Sequence, residues 1–241
     1  MAILRKSGFV AAVLSAALVL GALSLPAAAQ EQPSPLPGAR DSWGDGFYYL
    51  LNFSLGDSEN PDTDADFGVD LDWSTSFGFG LGYRFGPLRF EGELSSHFYR
   101  VGSLDLGVAS PFPAADYAGG MQALNAMANV FVDLPSAGRM RPYLGAGFGM
   151  ARVSAEYSES VCIIYCFSTS NGVVDDWDRV NAWQALAGMS FQAWAPNREW
   201  FVGYRYYETQ DLNLRTLSGD TFIQEGLKDH AIMAGFRFLI N

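Results

Sequence analysis

Arg84, Arg89, Glu91, Glu93, Asp133, Arg205 and Arg237 place charges of both signs inside segments that are otherwise apolar, aromatic or glycine-rich. Brought together out of water, such groups either pair or line a path for ions. Pairing is favoured, because an unpartnered buried charge costs several kcal/mol. Glu93, Ser95 and His97 add the acid, nucleophile and base types of hydrolytic chemistry on one face of one segment. His230 has no serine partner in its own segment, and the chain holds no G-x-S-x-G elbow or nucleotide-binding glycine loop.

Two further clusters invite metal chemistry. Asp62-x-Asp64-x-Asp66 lies in a run that also holds Asp57, Glu59, Asp70 and Asp72. Hard cations want several carboxylates close together, but Phe67 and Trp73 stand where a calcium loop needs glycine and a closing glutamate. A solvated acidic loop is the better reading, with loose Mg²⁺ or Ca²⁺ bridging to anionic lipopolysaccharide as its alternative. Cys162 and Cys166 are the two cysteines of the chain. Zinc would need two more ligands, and neither histidine is near in sequence. In an oxidising compartment a disulfide between them is expected. No cofactor is called for.

The elements that must position these residues alternate with a period of two. Trp73, Thr75, Phe77, Phe79, Leu81, Tyr83 and Phe85 point one way, and Ser74, Ser76, Gly78, Gly80, Gly82 and Arg84 the other. Strands are predicted at residues 45–55, 72–86, 88–99, 121–134, 141–155, 179–194, 199–208 and 228–241. Each has one greasy face, and no helix or second sheet is available to cover it. The pattern fits an all-β fold: an eight-stranded antiparallel transmembrane up-and-down β-barrel with its apolar face in lipid and its small polar face inside. Connections at 86–87, 135–140 and 195–198 are short. Those at 56–71, 100–120, 156–178 and 209–227 are long, the asymmetry expected of periplasmic turns and outer loops. Trp73, Tyr83, Tyr143, Trp183, Trp194, Trp200, Tyr204 and Tyr206 suit the aromatic girdles at the membrane surfaces.

So narrow a barrel is just wide enough for its own side chains. The seven charged residues named first are therefore expected to pair across the lumen, the other reading being a gated ion path. Glycines 78, 80, 145, 147 and 149 leave some room for the second. The face of Glu93, Ser95 and His97 also points into this lumen rather than to lipid, so no enzyme is expected.

Arg5 and Lys6, an apolar run from Phe9 to Leu25, and Ala27-Ala28-Ala29 have the order of a secretory signal peptide cleaved after Ala29. Residues 30–44 read as a flexible periplasmic leader and 45–241 as the barrel. The chain has 15 Lys and Arg against 26 Asp and Glu, a net charge of −11. That balance argues against nucleic acid as a partner.

The chain resembles the opacity-protein-like surface antigens, small outer-membrane barrels akin to the OmpA transmembrane domain. The resemblance covers about residues 45–241. Its carriers are Gly46-Phe47-Tyr48, Phe79-Gly80-Leu81-Gly82-Tyr83-Arg84-Phe85, Arg141-Pro142-Tyr143-Leu144-Gly145, Trp183-Gln184-Ala185-Leu186-Ala187-Gly188, Gly203-Tyr204-Arg205-Tyr206 and Gly235-Phe236-Arg237-Phe238. It implies an integral protein of a Gram-negative outer membrane, in contact with lipid and lipopolysaccharide and inserted by the barrel-assembly machinery. Ile240 takes the place of the aromatic residue near the end of such barrels. No peptidoglycan-binding domain is expected to follow. The role implied is structural, adhesive or antigenic, exercised through four loops toward a host or surface ligand. The alternatives are a small low-conductance porin-like channel and, third, a lipid A acylhydrolase.

Overall fold

A computed structural model of the chain describes residues 44–64, 68–105, 116–135, 139–163, 167–193 and 197–240. The expected leader, its cleavage after Ala29, Trp194, and the pairing of Cys162 with Cys166 lie outside the described residues and side chains. The barrel strands are β1 (Gly46–Ser58), β2 (Gly68–Phe85), β3 (Leu88–Asp105), β4 (Asp116–Asp133), β5 (Met140–Ile163), β6 (Phe167–Gln192), β7 (Arg198–Thr209) and β10 (Lys228–Leu239). Between the last two, β8 (Leu212–Arg215) and β9 (Thr221–Gln224) form a separate two-stranded hairpin.

Every barrel strand pairs antiparallel with its sequence neighbours, and β10 pairs with β1 to close the sheet. Closure gives every edge strand a partner, which a spanning structure needs because hydrocarbon offers its backbone none. The predicted alternation sets the register. Leu51 has Phe79 of β2 on one side and Phe236 of β10 on the other, all outward. Outward Phe77, Phe79 and Leu81 are 58%, 47% and 57% exposed on the chain. In water so broad an apolar wall would be untenable; against lipid it is the expected surface. Aromatic cross-strand pairs reinforce it, with Tyr49 stacked on Phe238 at 4.9 Å and Phe191 on Trp200 at 4.1 Å.

Gly86-Pro87 joins β2 to β3. Gly86 has φ +57°, and proline fixes a negative φ next to it, the combination a type II′ hairpin turn requires. Asp45 Oδ1 accepts a hydrogen bond from Gly86 N at 2.7 Å and ties the first strand to this turn.

Two expectations need correction. Tyr143 is no girdle residue: it is buried inside, as the outward exposure of its neighbour Leu144 requires. The long connections are also less loop-like than expected. β5 and β6 remain paired from Met140↔Phe191 to Ile163↔Phe167, with one irregularity at Tyr157/Ser158. Beyond the lipid both faces of a hairpin can meet water, so pairing continues after the apolar alternation has ended.

Candidate functional site

The inward faces fill the lumen in layers. At the short-turn end, Arg84 Nη1 and Nη2 donate to Glu199 Oε1 and Oε2 at 2.5 and 2.8 Å. Arg84 Nε lies 3.5 Å from Asp133 Oδ2, and Arg89 Nε donates to Asp133 Oδ1 at 2.8 Å. Glu91 Oε1 collects Arg89 Nη1 at 2.6 Å, Tyr48 Oη at 2.6 Å and, at 3.4 Å, Arg237 Nε. Arg237 also donates to Ser190 Oγ at 2.9 Å and lies over the Phe201 ring at 4.0 Å. Arg84, Arg89 and Arg237, with Arg141 Nη1 3.8 Å from Asp133 Oδ2, thus meet Glu91, Asp133 and Glu199 in one cross-lumen lattice.

Glu199 is absent from the charges read from the sequence. The signal was there, since Trp200 and Val202 face lipid and alternation turns Glu199 inward.

The expectation that all the inward charges pair with one another fails for Glu93 and Arg205. Glu93 accepts from Asn52 Nδ2 at 3.3 Å and Asn129 Nδ2 at 3.0 Å, and Asn129 Oδ1 accepts from Gln184 Nε2 at 2.7 Å. Side-chain amides solvate this carboxylate where arginine was expected. Arg205 Nη2 donates to Ser54 and Ser76, both at 2.7 Å, while its Nε and Nη1 have no hydrogen-bond partner among the described residues. The hydrogen bonds of both groups go to neutral polar residues, and Arg205 also lies within electrostatic reach of the buried Asp229 carboxylate.

Room for these side chains comes from the inward glycines. A Cβ at Gly145 would run into the Phe131 ring, and one at Gly82 into the Tyr48 ring. Of the glycines expected to leave space for a passage, Gly145 faces the Phe131 ring, Gly78 and Gly147 face Asn52 and Asn129, and Gly80 and Gly149 abut neighbouring backbone carbonyls. Arg89 and Arg205 are 0% exposed and Arg84 1%, values that a continuous water column touching them would exclude.

Ser95 Oγ lies 3.3 Å from His97 Nε2, and His97 Nδ1 lies 3.3 Å from Tyr99 Oη. Glu93 is turned to its asparagines, so these groups form no acid–base–nucleophile relay, and all are buried. On the outer wall His230 bridges Tyr204 Oη at 2.5 Å and Glu59 Oε1 at 3.2 Å, a chain with a phenol where a serine was sought.

At the long-loop end the lumen turns apolar. Leu71, Met121, Val153, Val174 and Val180 from the wall are buried with Leu212, Leu214, Phe222 and Leu227 from the β8–β9 hairpin and its flank. The hairpin alternates, its inner residues buried and Asn213, Arg215, Thr221 and Ile223 exposed. Carboxylates of β6 and of the β1–β2 connection accept its backbone N–H groups: Asp178 from Asn213 at 2.8 Å, Asp176 from Arg215 at 2.9 Å and Asp64 from Ile223 at 2.7 Å. Asp64, read first as part of a solvated acidic loop, is thus an anchor of this lid; Asp66 lies outside the described residues. Among the described residues no cluster of His, Cys, Asp and Glu is arranged to hold a metal ion. Lys228 Nζ donates to Glu225 Oε1 at 2.5 Å at the lid's base. That bond holds the Glu225 carboxyl below the usual carboxylate range.

The chain is 26% identical over 205 residues to an uncharacterized protein of Brucella abortus strain 2308, covering 70% of this chain and 69% of that one. Among solved structures, Neisserial surface protein A is 19% identical, with 82% of this chain and 99% of that one covered and a TM-score of 0.47. Ail, the attachment invasion locus protein of Yersinia pestis, is 13% identical, with 80% and 99% covered and a TM-score of 0.42. The outer membrane protein beta-barrel domain model matches residues 15–238. With lipid-facing aromatics outside and a packed polar lumen within, the chain belongs to the outer membrane β-barrel family and is an integral barrel of the Gram-negative outer membrane.

Proposed function

We propose that this barrel is a surface-display scaffold that conducts no ions and works through its extracellular loops in a structural, adhesive or antigenic role. The observation that carries the reading is the filling of the lumen from both ends. A charge lattice occupies the periplasmic half, and an apolar plug under the β8–β9 hairpin occupies the extracellular half. A porin-like function would need both to yield, and the hairpin alone is anchored to carboxylates of β6 and of the β1–β2 connection.

The reading includes export by a leader cleaved after Ala29, insertion by the barrel-assembly machinery, and a Cys162–Cys166 bridge stiffening the β5–β6 tip. Catalysis has no part in it. Binding of cells displaying the protein to host-cell or matrix surfaces tests it. Shortening the β5–β6 hairpin above Glu156 is expected to abolish adhesion while the barrel still assembles. Adhesion that survives removal of every extracellular extension would overturn the reading.

A further inference from the structure

Arg152 on β5 and Arg179 on β6 are direct register partners, and both are exposed on the outward face. Like charges directly opposite on adjacent strands repel and destabilise the pair. Among the described residues neither guanidinium has an ion pair, whereas Arg84, Arg89 and Arg237 each have at least one. The repulsion goes uncompensated on a chain whose net charge of −11 makes adjacent cations the exception.

The height of the pair indicates what compensates it. Outward residues of β5 run Pro142, Leu144, Ala146, Phe148, Met150 and then Arg152. The apolar part, about nine residues, matches the roughly 9–11 residues with which a tilted strand crosses hydrocarbon. On the neighbouring strand Arg152 faces Leu124, beyond which the next outward residue is Gln122. Arg152 therefore stands where hydrocarbon gives way to headgroups on the extracellular side. Trp177, also exposed, lies two positions beyond Arg179 toward solvent. The Arg152 guanidinium sits 4.2 Å over its ring, which fixes the cation's direction.

We propose that Arg152, Arg179 and Trp177 form a binding site for a phosphate of lipopolysaccharide in the outer leaflet. Guanidinium forks chelate phosphate oxygens bidentately, and an anion between two of them turns the cross-strand repulsion into attraction. The exposed indole edge supplies an apolar surface beside the phosphate for the sugar that carries it. The site rests on the barrel's place in the outer membrane and is independent of the adhesive reading.

Native mass spectrometry of the folded protein, released from detergent micelles after titration with bis-phosphorylated lipid A, tests the proposal. The wild-type chain should retain one lipid A, and R152Q/R179Q should need at least tenfold more for equal occupancy. W177A should fall between them, and R152K/R179K should recover part of the loss. Lipid A stripped of its phosphates should bind the wild type no better than bis-phosphorylated lipid A binds the double variant. Inorganic phosphate at millimolar concentration should not compete. Equal occupancy in wild type and double variant, both folded by heat-modifiable mobility, overturns the site. Equal retention of phosphatidylglycerol, or competition by free phosphate, overturns its assignment to lipopolysaccharide.

Discussion

Glu199 on β7 receives both terminal nitrogens of Arg84 on β2, at 2.5 and 2.8 Å, although the two strands are not neighbours in the wall. The pair spans the lumen and braces one side of the barrel against the other. Both side chains are about 1% exposed, so neither has water to fall back on.

Removing Glu199 leaves Arg84 its longer contact to Asp133, at 3.5 Å, in place of a bidentate pair. Glu199→Ala is predicted to lower stability by roughly 3–5 kcal/mol, the usual cost of an uncompensated buried charge. Urea unfolding in detergent micelles, followed by the loss of heat-modifiable mobility, measures it. An unchanged midpoint would remove the brace from the account of stability.

Arg205 should behave oppositely. Its guanidinium is fully buried and donates to Ser54 and Ser76, whose hydroxyls lie 2.7 Å from each other, and it acts at longer range on the buried Asp229 carboxylate. In Arg205→Met the serines keep one another as partners, Asp229 keeps its hydrogen bonds from Ser58 and Ser74, and the desolvated cation is gone. The same unfolding measurement should show stability unchanged or raised by about 1–2 kcal/mol. A loss comparable to that of Glu199→Ala would mean that Arg205 is as firmly compensated as Arg84.

Gly145 and Phe131 form a small–large pair across adjacent strands. Gly145→Ala is predicted to cost about 1–3 kcal/mol through overpacking. Phe131→Leu, harmful alone, should recover most of that loss in the double variant. Strict additivity of the two costs would show that the glycine serves some other end.

The lid should loosen in acid. The Lys228 hydrogen bond depresses the Glu225 carboxyl, so its contribution is complete above the unfolded-state value and is lost as pH falls through the lower, folded one. Amide exchange across residues 210–227, taken relative to the intrinsic rate at each pH, should therefore accelerate below about pH 4. Glu225→Gln should show part of that acceleration already at neutral pH. Exchange in this segment that ignores both pH and the substitution would separate the lid from its salt bridge.

Much of this was legible from the alternation of residues along single strands. The pattern from Trp73 to Phe85 gave the face, the face gave the lumen, and the lumen charges followed with the strands. Glu199 and Asp229 were legible by the same rule, since each neighbours an outward residue; Asp229 is buried and held by Ser74. The lid was not. Leu212, Leu214 and Phe222 lie in a short polar stretch, and their burial depends on strands far away in sequence. Nor could alternation show that Glu93 would find amides and Arg205 serines, because partner choice is decided across the bore. The continuation of β5 and β6 past the lipid left no periodic trace.

Single-channel recording of the folded, signal-free chain in planar bilayers bears most directly on whether the lumen is closed. A barrel filled from both ends predicts no discrete conductance steps. Removal of residues 212–224 should leave it silent, because the Arg84, Arg89 and Arg237 lattice still fills the periplasmic half. Reproducible steps from the intact protein, altered by Glu199→Ala, would contradict the closed lumen and establish a channel.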